Sequence, residues 1–331
     1  MRYRKFGNSD LAISEIGLGG SHFGSIINQK DPKEIVKTLE QAFESGINFY
    51  DTADIYGQGE SEKLLGKTFK RCRDKVVIAS KVGFCLSPTG SIISKIKPFL
   101  KPLIRLAKPM KKSMLAMRGS QIQQNFSPSY LIPAVEASLK RLKTDYLDVL
   151  QLHEPSSSVF EEAGTLAALE ALKSQGKIRH YGVACNTAEE TLACLRYPGF
   201  SSVQVEINLL NQTAISRLLP LAKEQQIGVI ARQPFASGRI IKLLLDDQAS
   251  KESFDQEAWE KREQLRLLAN QKGISYVTQV ALQFVLQFEA VSVVVAGMSN
   301  RQHLGQNLSA LDPLSVAQSD LSMLTDVSQP T

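Results

Sequence analysis

The stretch GINFYDTADIYGQGESEKLLG at residues 46–66 reads as one complete structural unit. INFYD (47–51) is a short apolar run of strand type. A loop punctuated by Gly57 and Gly59 follows, and residues 60–69 then place apolar side chains at the 3.6-residue spacing of a helix. The same alternation runs through the chain. Further apolar runs stand at IGLGG (16–20), VVIAS (76–80), YLDVLQLH (146–153), IRHYGVA (178–184), VQVEIN (203–208), GVIAR (228–232) and VSVVVA (291–296). Helical periodicity appears near 32–45, 128–142, 161–175, 188–196, 213–225, 256–271 and 275–288. Eight short strands, each followed by a helix, predict an α/β protein of the (β/α)8 TIM-barrel class, closed by parallel strands.

Working outward, YRKFGNSDLAIS at the start reads as two short strands joined at Asn8-Ser9-Asp10, a hairpin expected to plug one end of the barrel. Asp31-Pro32 and Ser127-Pro128 place a cap residue ahead of proline at the first helical position. No linker rich in proline, glycine or serine divides the chain, so residues 1–331 are expected to form one domain. The rhythm breaks only between Phe84 and Phe126, a span far longer than a usual βα loop. Insertions at the C-terminal ends of barrel strands lie over the active site.

The net charge of +6 is concentrated in that insertion. No acidic residue occurs between Asp74 and Glu136, and Lys95, Lys97, Lys101, Arg105, Lys108, Lys111, Lys112 and Arg118 fall inside the gap. Without those eight the rest of the chain is close to neutral. The basic segment 91–118 reads as a lid, with weak contact to an anionic membrane surface as the alternative. Its aromatic content is too thin for nucleic-acid binding, and no nucleic-acid partner is expected. There is no signal-peptide pattern and no run long enough to span a bilayer, so a cytoplasmic location is expected. Cys72, Cys85, Cys185 and Cys194 form no C-x-x-C pair, which argues against a zinc site or a disulfide framework. No metal is expected.

In a barrel of this kind the polar groups at the C-terminal ends of the strands converge on one mouth. Asp51 ends the second barrel strand and Tyr56 follows in its loop; Lys81 follows the third strand and His153 ends the fourth. A tyrosine is too weak an acid for easy proton exchange near neutrality, and an adjacent ammonium stabilises its phenolate. Lys81 is the expected source of that charge, Asp51 its partner, and His153 the group that orients a substrate carbonyl. The set suits reduction of a carbonyl.

These residues resemble the aldo-keto reductase family. The stretch at 46–66 carries that family's D-T-A-x-x-Y-G core with E-x-x-L-G behind it, and Ser80-Lys81, LDVLQLHEP (147–155) and GKIRHYGV (176–183) recur at its spacing. The resemblance implies an NAD(P)H-dependent oxidoreductase that reduces an aldehyde or ketone to an alcohol. In it Tyr56 is the general acid, Asp51 and Lys81 activate it, and His153 positions the substrate. A small-molecule carbonyl compound is the implied partner. A second reading, from relatives that serve as potassium-channel auxiliary subunits, is a regulatory subunit that binds nicotinamide nucleotide.

For the cofactor the resemblance implies a dinucleotide laid across the mouth, touching Gly20, Ser21, Asp51, Gln204, Pro234, Phe235, Gly238, Gly297, Ser299, Gln306 and Asn307. NADPH is expected, with NADH as the alternative, and Arg301 and His303 are the groups near the phosphate end. Three positions depart from the family pattern. Ala184 and Cys185 stand where Ser and Asn commonly hold the carboxamide, which leaves Gln204 and the backbone of Cys185 or Asn186 for that task. Arg232 occupies the place of an aromatic residue under the nicotinamide. Of the remaining histidines, His22, His180 and His303, only His22 is expected near enough to the mouth to touch substrate, and Cys185 shows no partner for redox chemistry.

Overall fold

A computed structural model describes residues 1–24, 31–86, 122–161, 163–245, 256–298, 300–312 and 316–324. Its strands, in chain order, are β1 (Tyr3–Lys5), β2 (Ala12–Ser14), β3 (Ile16–Gly19), β4 (Phe49–Asp51), β5 (Val77–Val82), β6 (Phe84–Leu86), β7 (Ile122–Gln124), β8 (Leu147–His153), β9 (Ile178–Ala184), β10 (Ser202–Glu206), β11 (Gly228–Arg232) and β12 (Val291–Gly297). Strands β3, β4, β5, β8, β9, β10, β11 and β12 pair side by side in that order, all parallel, and β12 returns to β3 to close the barrel. The expected (β/α)8 barrel is the fold, and each apolar run of the sequence supplies one barrel strand.

Side chains alternate across a strand, and that alternation builds the site. The inward positions begin apolar: Phe49, Val77, Ala79, Val149, Ile230, Val293 and Val295 form one buried cluster. Two residues further along, the same face carries Asp51, Lys81, Gln151, His153 and Arg232. The barrel therefore has an apolar floor and a polar mouth. Phe6, Leu11 and Ile13 of the β1–β2 hairpin complete the floor, with the Phe6 ring 6.1 Å from that of Phe49. The hairpin is thus the plug expected from the sequence, at the end opposite the mouth. Arg4 fastens it by donating to the carbonyls of Leu286, Phe288 and Val291 at 2.7–3.0 Å, where the helix Ile274–Leu286 leaves its last carbonyls without partners in the helix.

Outside the barrel the helices bury one stripe each. The helix Pro32–Glu44 covers Ile35, Leu39 and Ala42 and is capped by Asp31, whose carboxylate accepts from the Lys33 N–H at 3.0 Å. Gly66, in the helix Glu60–Phe69, is a glycine because a Cβ there would lie 2.5 Å from the Leu142 backbone, so the helix Pro128–Leu142 could not pack so closely.

Two local expectations need correcting. Ser127 stands at the N-cap position, but its hydroxyl donates to Asn125 at 2.8 Å instead of capping the helix. The insertion also begins and ends as structure: β6 pairs antiparallel with β7, Phe84 opposite Gln124, and forms a two-stranded ribbon at the mouth. Residues 87–121, and with them the basic segment 91–118, lie outside the described residues. Two short helices, Arg239–Leu245 and Gln318–Leu324, carry no clear sequence pattern because two turns or fewer of periodicity give little signal. Among the described residues no helix is long and apolar enough to cross a membrane.

Candidate active site

Asp51 and Lys81 face each other across adjacent strands. Lys81 Nζ donates to Asp51 Oδ1 at 2.6 Å, to Oδ2 at 2.7 Å and to the Thr52 carbonyl at 3.0 Å, and both side chains are buried. All three ammonium protons therefore have acceptors. Burial works against the charge on Lys81, but the Asp51 carboxylate and the hydrogen bonds outweigh it and raise the lysine pKa above its ordinary value. The loop that carries Asp51 is itself tied down: Thr52 Oγ1 donates to Ser61 at 2.8 Å, and Ser61 to the Gly20 carbonyl at 3.0 Å.

Tyr56 opens a short 3₁₀ turn, Tyr56–Gln58, that ends at Gly59 in the left-handed region. Its ring stands over Lys81, with Nζ 5.0 Å from the centroid, and meets the His153 ring edge-on at 5.9 Å. Burial pushes the phenol above its ordinary range, and Lys81 and then Arg232 pull it down while Asp51 adds to the rise. The lysine effect expected from the sequence is present, but desolvation exceeds it, so Tyr56 rests as a neutral phenol. His153 is buried between Tyr56 and Phe84, whose ring lies 4.6 Å away. Burial, with Lys81 and Arg232 adding to it, drives its pKa well below the usual histidine value. The ring is neutral, and its Nδ1 is buried without a hydrogen-bond partner among the described residues.

The rest of the mouth differs from expectation. Gln204 donates to Asp51 Oδ1 at 2.8 Å, so its amide nitrogen serves the Asp51–Lys81 pair. Cys185 turns its thiol outward into the core between barrel and helices, its N–H donates to the Gln204 carbonyl at 3.0 Å, and its own carbonyl accepts from Arg232 at 3.2 Å. It offers neither side chain nor free backbone donor to a ligand, because a residue one step past an inward position faces the opposite side of the sheet. Nor is it alone: Cys194 Sγ lies 4.0 Å from Cys185 Sγ, a partner that their separation in sequence concealed. Contact with Cys194 and burial push the Cys185 thiol up, which makes it unreactive. Asn186 accepts from Arg232 at 2.9 Å.

Beside these residues opens a cavity of about 590 Å³, lined by Ser21, Pro234, Phe235, Gly238, Gly297, Gln306 and Asn307 among others. This volume is in the range of cofactor and small-molecule sites. Seven residues that the sequence assigned to the dinucleotide thus meet in one pocket, and Gly20 adjoins it through Ser21. Ser299 lies outside the described residues. Asn307 is buried, and its Nδ2 is a donor with no acceptor among the described residues, so the pocket presents polar capacity that a ligand would satisfy. Gly238 has open space where a Cβ would stand. His22 and His303 both stand in the lining. His180 bonds Asp10 of the hairpin at 3.0 Å, on the opposite face of the barrel. Arg301 is exposed and 4.0 Å from Glu34.

Sequence reasoning missed two groups. Gln151, one inward position below His153 and directly across from Lys81, is fully buried, with neither amide atom hydrogen-bonded among the described residues. The period of two was the available signal. Asp54 lies behind the Tyr56 loop, where burial and then the nearby Glu62 push its carboxyl up to about 7. Glu62 itself is buried and accepts from Ser80 at 2.7 Å and from Arg141. Nothing in the spacing of Asp54 distinguishes it from a solvated loop carboxylate.

A parallel barrel with an ion pair, a tyrosine and a neutral histidine at its mouth, beside a pocket large enough for a cofactor, is the architecture of a barrel oxidoreductase. The chain belongs to the aldo/keto reductase family, whose model matches residues 15–329. It is 30% identical over 98% of its length to an uncharacterized oxidoreductase, YqkF, of Bacillus subtilis (strain 168), covering 95% of that protein. It is 25% identical to an NADH-specific methylglyoxal reductase of Escherichia coli (strain K12), with 99% of both chains covered. Among solved structures, the holo form of aldo-keto reductase AKR11C1 from Bacillus halodurans superposes with a TM-score of 0.72 at 26% identity, covering 98% of this chain and 95% of that one.

Proposed function

We propose that this protein reduces a small aldehyde or ketone to an alcohol, with Tyr56 as the proton donor and a nicotinamide dinucleotide held in the pocket beside it. The observation that carries the reading is the convergence of Tyr56, His153 and the buried Asp51–Lys81 pair next to a cavity with an unsatisfied Asn307 donor. When bound, the reduced nicotinamide supplies the hydride to the carbonyl carbon.

The chain's own residues supply the rest. His153, neutral and wedged between Tyr56 and Phe84, offers a ring N–H to the carbonyl oxygen and fixes its position. Tyr56, a neutral phenol at rest, gives its proton to that oxygen as negative charge develops on it. Lys81 stabilises the phenolate left behind, and Asp51, with Gln204 donating to it, keeps the lysine charged. Phe84 and the β6–β7 ribbon wall the site on one side.

NADPH remains the cofactor reading, with Arg301 and His303 at the end of the pocket where a 2′-phosphate would be received. NADH is the competitor, as in the Escherichia coli relative. The test of the activity is oxidation of NADPH or NADH with a panel of small aldehydes, repeated with Tyr56→Phe. Turnover is expected to fall by about 10²–10⁴ in the variant while cofactor binding persists. A wild-type protein that binds cofactor but turns over nothing would leave the regulatory-subunit reading in its place.

A further inference from the structure

We propose that Arg232 makes this site prefer the reduced over the oxidised form of its nicotinamide cofactor. The inference rests on the dinucleotide reading above and deepens it. The two redox forms differ at the ring, which is uncharged when reduced and carries a positive charge when oxidised. A fixed cation close to the ring therefore acts against one form only.

Arg232 is that cation. It ends β11 on the inward face, half-buried, and no carboxylate among the described residues lies within ion-pair distance of it. Its Nη2 donates to the Cys185 carbonyl at 3.2 Å and to Asn186 Oδ1 at 2.9 Å, both neutral acceptors. Its Nη1 donates to Gln233 Oε1 at 2.7 Å when that amide is oriented to give its own N–H to Glu206 Oε2 at 3.2 Å. Glu206 is thus held one amide away. The contrast with Lys81 is sharp, since the charge of Lys81 is met by Asp51 at 2.6 Å. Its charge also reaches the site: it adds to the lowering of the His153 pKa and works against the rise that burial imposes on Tyr56.

Position completes the argument. Gln233, Pro234 and Phe235, the residues directly after Arg232, line the dinucleotide pocket. Arg232 ends the strand that leads into those residues, so a ring reaching from the pocket toward Tyr56 comes to the end of β11 that carries the guanidinium. A half-buried mouth screens like charges less than bulk water does, so a cationic ring is penalised. The planar guanidinium favours an electron-rich neutral ring through stacking. Both effects have the same sign. The consequence for the cycle is that oxidised cofactor leaves more readily than reduced cofactor, which suits an enzyme working as a reductase.

The experiment measures dissociation constants for NADPH and NADP⁺, and for NADH and NAD⁺, by calorimetry with the full-length wild type, R232Q and R232K. The wild type is expected to bind the reduced form about tenfold or more tightly. R232Q should move that ratio toward one by about tenfold, while R232K, which keeps the charge, should retain most of it. Equal affinities in the wild type overturn the proposal whether or not R232Q folds, and so does an unchanged ratio in a folded R232Q. An unchanged ratio combined with a raised KM confined to carboxylate-bearing carbonyl compounds would instead assign Arg232 to the substrate. Failure of every form to bind the wild type would refute the dinucleotide reading itself, an outcome distinct from equal affinities.

Discussion

Replacing Asp51 by Asn removes the one carboxylate that Lys81 touches among the described residues and leaves the ammonium in place, buried, with neutral acceptors alone: the Thr52 carbonyl at 3.0 Å, the Tyr56 hydroxyl and the new amide oxygen. Breaking one side of a buried ion pair costs about 3–5 kcal/mol. For a chain of 331 residues, with an unfolding entropy of about 2.1 cal/mol/K per residue, that cost lowers Tm by about 4–7 °C. The pH dependence separates this cause from general damage. In the wild type the lysine pKa is raised, so Lys81 contributes stability that is present below the unfolded lysine value of about 10.4 and lost as pH rises through the folded one. In Asp51→Asn the main raising cause is gone and burial dominates, so the folded pKa falls. The unfolded state then binds more protons, and stability rises with pH until the lysine is neutral in both states. Scanning calorimetry of both proteins from pH 6 to 10 should show a Tm deficit in the variant that shrinks as pH increases. A deficit below about 1 °C at pH 7, or one that widens toward pH 10, would refute the assignment of a compensated buried lysine.

Acidification tests His153. Its folded pKa is depressed by burial, so below the ordinary histidine value the unfolded state takes up a proton that the native state refuses. This group's share of the stability falls as pH drops below about 6.5, by up to about 1.4 kcal/mol per pH unit, and urea melts of the wild type against His153→Gln should show the variant losing that dependence. Gly182→Ala places a Cβ 2.0 Å from the Ser202 carbonyl, so β9 and β10 have to separate. A loss of about 1–3 kcal/mol or more is expected in denaturant melts, and wild-type stability in this variant would mean that the strands are further apart than described. Glu62→Gln removes the like charge beside Asp54, whose carboxyl should then titrate below about 7 when followed by NMR, because burial alone remains to hold it up.

Much of the fold was readable because it rests on local patterns. Each βα unit declares itself through an apolar run, a glycine or proline break and a helical stripe, and eight of them admit few arrangements. Asp51, Lys81 and His153 were readable for the same reason, since a strand end in a barrel has a known direction. The residues that resisted reading depend on neighbours distant in sequence. Gln204 was expected to face a ligand and instead serves Asp51, 153 residues earlier. Cys185 was placed at the mouth by the family resemblance, yet β9 ends so that its side chain turns outward onto Cys194.

The sequence by itself determined the number and order of the barrel strands and the identity of the ionisable groups at their ends. These follow from the period of two and from the handed, parallel closure of βα units, which need no knowledge of what packs against what. The tertiary structure alone decided the state of those groups. Charge on Lys81, neutrality of Tyr56 and His153, and the uncompensated cation at Arg232 each result from burial set against the charges of other strands. Desolvation and Coulomb energy depend on distance in space, and a barrel brings to its mouth residues that lie far apart along the chain.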